Sequence, residues 1–568
     1  MGANHIIVRD YLESLREDKE LDYLFPILLS AMGFNIVRTA VESKGQSQYG
    51  KDIIAIGEHH TGERHAYHFE IKGYGDRNIT DHVLNKPDGV IESLRASRYT
   101  KYTDLSIPGF NELPRIYVLV HNGVLQSNAK PTFDSFIEET FPQGNFERWD
   151  LFRLSDLMEE YLFNEFLFVD KDGLKLFKKS LFLLDAPGND FCDFHELIEL
   201  QIQKVTALSG QRSLKKFFAS LTLIGSIINS YSLENDQLEP AKYCNTFLII
   251  RTWSWILDNN LESKRSIISS FEKLLKVQIN LLELYFEKTL SIAQKEDGLF
   301  SEVGGLFEEI GYPLRSFDYL NYLIFFFEIS DANSIHHEGL KELSGNRRKQ
   351  KDVLMEIIRN NDGARRPLLD IHSITILSVV NFFLSGDTVE EKDLEFLGFY
   401  ISSLFENIAL IYFKKNRLPV IGGEQVLIKE LSRSNKKSED KNQNPSLLLT
   451  TLFQLAACLN ARNLYDEYRK VFKDNVNLQS LVPNFDDYDI ESLLFKQTLD
   501  REFDIKTNVI LSESFDDFRA SFLEKRNEPF QFRTDIVGQK PLRKLAHIFY
   551  GTDLFESDWV STFLTKNS

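Results

Sequence analysis

The first 170 residues alternate between two hydrophobic periods. Asp22–Met32 (DYLFPILLSAM) places Leu24, Leu28 and Leu29 on one face of a helix that Gly33 ends. Phe34–Ala40 is a short strand rich in β-branched residues. Lys51–Gly57 and His65–Gly73 are two more strands, and Gly62 between them suits a hairpin turn. Ile79–Tyr102 reads as mostly helical with a break near Pro87. Arg115–His121 (RIYVLVH) is apolar without alternation, as expected of a strand covered on both faces. Phe133–Thr140 is a helix, FERWDLF a last edge strand, and Leu154–Phe163 a closing helix. The pattern predicts an α/β core with a mixed central sheet flanked by helices.

From residue 194 onward the period is almost wholly helical, in long amphipathic stretches such as Phe194–Tyr231, Tyr243–Ala293, Leu394–Phe413 and Ser446–Phe472. Asp185–Asp193 (DAPGNDFCD) joins Pro to Gly between the two textures, and Ser432–Ser446 (SRSNKKSEDKNQNPS) is polar and charged. The expected layout is an α/β domain over 1–170, a linker over 171–193, a large all-α region over 194–431, a flexible loop over 432–446 and a helical subdomain over 447–568. The chain has no defensible repeat period.

Composition narrows the class. At 568 residues, 43% hydrophobic and 12% aromatic, the chain is too long for one core and too apolar for disorder. No apolar run reaches the length of a membrane span. The opening MGANHIIVRDYLESLREDKE has no apolar signal region, and Gly2 lacks a Ser or Thr at the myristoylation position. Three scattered cysteines exclude a disulfide framework and a Cys-based zinc site. The expectation is a soluble cytoplasmic protein. A net charge of −18, with 17 basic against 27 acidic residues over 1–170, works against unaided binding to a phosphate backbone.

The stretch with chemistry is Gly50-Lys51-Asp52 opening one strand and Glu70-Ile71-Lys72 in the next. Side chains alternate along a strand, so Glu70 and Lys72 share a face, and the hairpin folds Asp52 back toward them. Hard oxygen ligands of this kind suit Mg²⁺, which takes one or two carboxylates and fills its shell with water and phosphate oxygens. The bare string Glu-x-Lys also starts at Glu17, Glu42, Glu262, Glu390 and Glu439. Of the six, Glu70 alone sits in a β-rich strand directly after an Asp-bearing one.

With its helix ending in Gly33-Phe34, then Gly50-Lys51-Asp52, then Glu70-Ile71-Lys72, the sequence resembles the restriction-endonuclease-like PD-(D/E)xK superfamily, and within it the Mrr-type nucleases. RIYVLVH and ERWDLFRLSDLM resemble later elements of the same domain, so the likeness covers residues 10–170. It implies phosphodiester hydrolysis with Mg²⁺, or Mn²⁺ in its place, with Asp52, Glu70 and Lys72 as catalytic residues. It implies metal ligation by Asp52, Glu70, the carbonyl of Ile71, and an acid from the preceding helix. That acid is typically Glu in the family; the matching position is Asp22, with Glu20 as a neighbour. The likeness implies DNA as substrate without separating it from RNA. A nuclease joined to a large helical region suggests an anti-phage or anti-plasmid effector that the helices restrain, through a second copy or a partner protein.

Other residues compete for attention. His68 shares the face of Glu70 and Lys72, and Tyr74 continues it, so both are candidate nucleic-acid contacts. Arg95, Arg98 and Lys101 form a basic stretch with Tyr99 and Tyr102, the natural track for a phosphate backbone. Arg77 and Lys86 precede that stretch. His59, His60 and His65 read as a polar hairpin tip, and Gln46 and Gln48 as loop residues. Arg366 and His372 have the spacing of a helical HEPN-type ribonuclease motif, one rival reading; an inactive scaffold is the other. The sequence has neither a GxxxxGK[ST] phosphate loop nor a Gly-x-Ser-x-Gly elbow.

Overall fold

The computed structural model describes residues 3–39, 51–59, 62–163, 170–206, 208–300, 303–335, 339–385, 389–415, 417–420, 426–428, 445–473, 476–483, 504–524 and 532–551, with positions 168, 337, 491 and 494–496. Gly50, Gln46, Gln48, His60 and nearly all of the loop expected at 432–446 lie outside them. The chain divides into two compact units, one of residues 1–248 with 269–277, the other of 249–268 with 278–568.

In the first unit, helices α1 (Ala3–Ser14) and α2 (Asp22–Ala31) precede strand β1 (Asn35–Arg38) and the hairpin β2 (Ile53–Glu58) and β3 (Arg64–Lys72). Then come α3 (Asp81–Asn85), α4 (Val90–Tyr99), β4 (Arg115–His121), α5 (Lys130–Thr140), β5 (Phe146–Trp149) and α6 (Leu151–Tyr161). The five strands lie side by side in chain order. The pairs β1–β2 and β2–β3 are antiparallel; β3–β4 and β4–β5 are parallel. This is the mixed sheet that the hydrophobic pattern predicts, with β5 as its edge.

The period-two pattern explains the layers. Phe69 of β3 packs edge-on against Phe25 of α2 at 5.1 Å between ring centroids and against Trp149 at 5.5 Å. On the other face Tyr117 and Leu119 join Leu94, Phe133 and Phe136 of α4 and α5. Each buried apolar side chain contributes about 1.5–3 kcal/mol.

Beyond the sheet, residues 171–193 are not a linker. Helix α7 (Lys171–Phe182) fills the first half, and α8 (Cys192–Gln203) starts at the end. The apolar face of α7, with Phe177 and Leu181 buried, overrides the Pro-Gly signal that follows it. Phe194–Tyr231 is α8 and α9 (Gln211–Glu234); Tyr243–Ala293 is α10 (Leu238–Asp258) and α11 (Arg265–Ala293). The expected domain limit at 170 therefore understates the first unit, which includes α9. Helix α1, absent from the sequence reading, packs on α6 and α9 through fully buried Val8, Tyr11, Leu12 and Leu15.

The second unit is predominantly helical, with α12 (Tyr312–Ala332) and α14 (His372–Leu384) buried along most of their length. Its C-terminal part departs from the all-helical expectation: Pro445–Ser446, Asn477–Pro483 and Asp504–Asn508 form a three-stranded sheet. Among the described residues, Glu391–Lys415 (α15) is long and apolar enough to cross a membrane, but Phe396, Leu397, Tyr400, Ile401, Leu404 and Phe405 are buried inside the protein, as in a core helix.

Candidate active site at the open end of the hairpin

The β2–β3 ladder runs from Glu58↔Arg64 at the tip to Ile53↔Phe69, and Asp52 continues it with its N–H donating to the Phe69 carbonyl at 2.9 Å. Past that point β3 runs on beside β4 without a β2 partner. Alternate N–H groups of a strand point to one edge, so those of Ile71 and Gly73 face the space that β2 has vacated. Both are taken by carboxylates. Ile71 donates to Asp52 Oδ2 at 2.7 Å, and Gly73 donates to Glu17 Oε2 at 3.0 Å.

Glu70 and Lys72 meet on one face of β3, where Lys72 Nζ lies 2.8 Å from Glu70 Oε1. Both side chains are largely buried, and Glu70 Oε2 has no hydrogen-bond partner. A strand residue's N–H and C=O point the same way, so the Ile71 carbonyl also faces the edge that Asp52 caps. The hairpin thus brings Asp52, Glu70, Ile71 and Lys72 together.

From the preceding helical segment it is Glu17 whose carboxylate reaches the end of β3, where it accepts the Gly73 N–H. A five-residue π-helical turn, Glu17–Leu21, joins α1 to α2. Its first residue lies so close to the end of β3 that a Cβ on Gly73 would stand 2.6 Å from the Glu17 nitrogen. Glycine is required there. Glu20, three residues on, is engaged by the Arg16 N–H and by Lys216 of α9. Asp22 opens α2 and is half-buried, and the carboxylates acting most strongly on Lys72 are Glu70, Glu17 and Asp52.

Crowding of these acids shows in their proton affinities. Burial raises the Asp52 carboxyl well above its ordinary pKa, Glu70 and Glu17 add to the rise, and the Ile71 N–H and Lys72 oppose it. Burial likewise raises Glu17, against Lys72 and the Gly73 N–H. Burial opposes the charge of Lys72, yet Glu70, Glu17 and Asp52 together lift its pKa above the ordinary lysine value.

Three oxygen sources at one edge, one of them a buried carboxylate oxygen without a partner, fit a hard divalent cation. Among the described residues, no three acidic, His or Cys side chains form a ready-made cation cage. Mg²⁺ does not need one, because water and phosphate oxygens complete its shell.

The expected nucleic-acid contacts fare differently. His68 is 1% exposed, packed edge-on against Tyr117 at 5.3 Å, with neither ring nitrogen bonded. Burial, with Lys51 and Arg115, pushes its pKa down to about 3, so it is a neutral core residue that cannot reach a phosphate. Arg95 lies over the Phe136 ring at 5.4 Å and Arg98 over Tyr117 at 5.7 Å. Helix α4 ends at Tyr99, so Tyr102 leaves the expected face and packs on Phe110. Arg98 is half-buried against the sheet, whereas Arg95 is exposed beside α5. Lys101 is exposed just past the helix end, and Tyr74 opens a short 3₁₀ turn, its side chain outside the described set. Lys86 pairs with Asp76 at 2.6 Å, and Arg77 pairs with Glu13. His59 and His65 sit at the hairpin tip, bonded to Tyr67 and to the Glu63 carbonyl, at the far end from the acids.

Sequence reasoning passed over Lys51, a residue 2% exposed whose ammonium donates to the Thr100 carbonyl at 2.8 Å. Burial, with Arg115 and Arg38, lowers its pKa to about 8, against the pull of Glu70.

The ribonuclease alternative finds no geometry. His372 is fully packed, stacked on Phe317 at 3.9 Å, and its Nδ1 accepts from the Leu368 N–H at 3.2 Å. Burial lowers its pKa to about 3, and Arg366 lies over the Tyr312 ring. A second constellation invites comparison with hydrolases: Ser330 Oγ lies 2.9 Å from His337 Nε2, and His337 Nδ1 lies 3.0 Å from Glu283. Ser330 and His337 are each 4% exposed, so no acyl carbonyl reaches that hydroxyl, and the relay serves as a buried tie between α11, α12 and the following loop.

No protein-family model matches the chain, and no curated protein or solved structure matches it. The functional reading therefore stands on the residues and their geometry.

Proposed function

We propose that this protein is a Mg²⁺-dependent endonuclease that cleaves phosphodiester bonds in DNA, and that it acts in the cytoplasm as a regulated effector of prokaryotic defence. The observation that carries the reading is the single edge at which Asp52 takes the N–H of the residue between Glu70 and Lys72, while Glu70 and Lys72 pair beside it. The combination of motif order and this edge supports a restriction-endonuclease-like active site over a solvated hairpin.

Asp52, Glu70 Oε2 and the Ile71 carbonyl would hold the cation, with Mn²⁺ as a substitute and Glu17 as a third carboxylate nearby. The bound ion supplies a water of lowered pKa and neutralises charge that builds on the phosphodiester. Lys72 orients the attacking water and donates to the developing negative charge as a compact ammonium. Asp52 serves only when ionised. In the metal-free protein burial and the neighbouring acids hold its carboxyl above the ordinary range, so a cation bound there competes with a proton.

The net charge of −18 predicts weak binding to duplex DNA by a single chain. A second copy, or a partner on the helical unit, would complete a positive groove.

The test is plasmid nicking in Mg²⁺ with wild type, Asp52→Ala and Lys72→Ala. Each substitution is expected to lower the rate about 10³-fold or more, the scale of about 4 kcal/mol in the barrier. Wild-type silence on DNA and RNA under every metal assigns the protein to the scaffold class. Activity that survives both substitutions and vanishes in His372→Ala moves the chemistry to the helical unit.

A further inference from the structure

We propose that Lys216 of α9, a helix far beyond the sheet in sequence, is a positioning residue for the site: it holds the π-helical turn that presents Glu17 to the end of β3. The inference rests on the nuclease reading of that edge and extends it to a residue outside the motif region.

Two oxygens of one carboxylate do the holding. Glu20 Oε2 accepts the Arg16 N–H at 2.7 Å, which caps the turn at its N-terminal side, and Glu20 Oε1 takes the Lys216 ammonium. The pair is substantially shielded, with the Lys216 and Glu20 side chains 32% and 20% exposed. The Arg16 side chain itself makes no capping hydrogen bond. A π-helical turn is rare and marginal by itself, so its ends need outside partners.

The surroundings leave the turn little play. The buried Asn122 carboxamide at the end of β4 donates to the Leu12 and Leu15 carbonyls at 2.7 and 3.0 Å, fixing the end of α1. Helix α1 packs on α9 as well as on α6, and Asp10 pairs with Lys273 of the same unit. On the opposite side Gly73 clears the Glu17 backbone with no room for a methyl group. Glu17 is thus set by contacts on both sides, and α9 supplies one of them. The catalytic unit extends past residue 170 to include this helix.

The experiment uses the full-length chain and three readouts: hydrogen exchange at the amides of Glu17–Leu21 and Gly73, binding of Mn²⁺ alone by electron paramagnetic resonance, and plasmid nicking. Lys216→Glu is expected to raise exchange in the turn about five-fold, the factor equivalent to about 1 kcal/mol. It is also expected to weaken Mn²⁺ binding and to lower kcat while KM for DNA stays put. Lys216→Arg keeps all three readouts, and Glu20→Gln, which keeps an acceptor for the Arg16 N–H but loses the charge that Lys216 answers, shifts them the same way by a smaller factor; unchanged exchange at amides remote from the turn separates positioning from loss of the fold. Unchanged turn exchange in Lys216→Glu, or the same loss in Lys216→Arg, overturns the inference. If exchange responds in Lys216→Glu and is kept in Lys216→Arg in a protein that neither binds Mn²⁺ nor cleaves, the nuclease reading falls while the Lys216 contact stands.

Discussion

Two buried charge clusters, one in each unit, are built on opposite plans. In the second unit Asp393 is fully buried, with Lys351 at 2.8 Å on one oxygen and Arg348 of α13 (Arg347–Asn360) at 2.7 Å on the other. The Glu390 N–H donates to it as well. Burial would raise its pKa, but Lys351, Arg348 and that N–H hold it below the ordinary value. At the hairpin edge the arithmetic reverses. Asp52, Glu70 and Glu17 all act on the ammonium of Lys72, and Asp52 and Glu17 have raised pKa values. The first cluster is complete as it stands. In the second the acids are crowded enough to hold protons, and the proposed cation would take the place of those protons.

Predictions follow from that contrast. The largest effect belongs to the satisfied cluster: Asp393→Asn leaves Lys351 buried beside a neutral amide and is expected to cost about 3–5 kcal/mol. Urea unfolding followed by a probe in the second unit checks it, and a loss below 1 kcal/mol would contradict the description of the cluster as structural.

Gly73→Ala comes next. The added methyl collides with the Glu17 backbone and is expected to cost about 1–3 kcal/mol. A methyl that fits without loss of stability or of Mn²⁺ affinity would mean that Glu17 does not approach β3 as described.

Asp52→Asn has the smallest expected effect, with the opposite sign. The folded pKa of Asp52 lies above its unfolded value, so the native state holds this proton more tightly. The stability so contributed is present below the unfolded pKa and is lost as pH rises through the folded pKa. In metal-free protein at neutral pH and above, Asn at this position keeps the hydrogen bond from Ile71 without the charge. Stability should therefore rise by about 1 kcal/mol while Mg²⁺-dependent cleavage disappears. Thermal melts across pH with and without Mg²⁺ check both halves; destabilisation of the metal-free protein would show that Asp52 is structural.

Much of the sheet was legible because its signals are local. Arg115–His121 reads as a buried strand because it is buried on both faces, and Gly33 ends α2 in the left-handed region at φ 88°. Asp52, Glu70 and Lys72 were legible because alternation and one hairpin suffice to bring them together. The basic stretch was legible only in part: Arg95 and Lys101 are exposed as a solvent face requires, but Arg98 is half-buried over the Tyr117 ring, a packing that helical spacing does not reveal. His372 failed similarly, its ring claimed by Phe317. Glu17 left one readable trace. Leu12 and Leu15 belong to one helical phase, Leu21, Leu24 and Leu28 to another, and the break between them is where the π turn sits.

Alone, the sequence determined the strands of the N-terminal sheet, the end of α2 at Gly33, and that Asp52 folds back beside Glu70 and Lys72. These follow from periodicity and chain connectivity over fewer than 25 residues. Only the tertiary structure decided which helical acid joins them, because that depends on a missing Cβ at Gly73 and on a lysine nearly two hundred positions away from Glu20. It also decided that Asp52 and Glu17 hold their protons more tightly than free carboxyls do. Proton affinity is set by burial and by the sum of neighbouring charges, and neither quantity exists until the chain has closed around them.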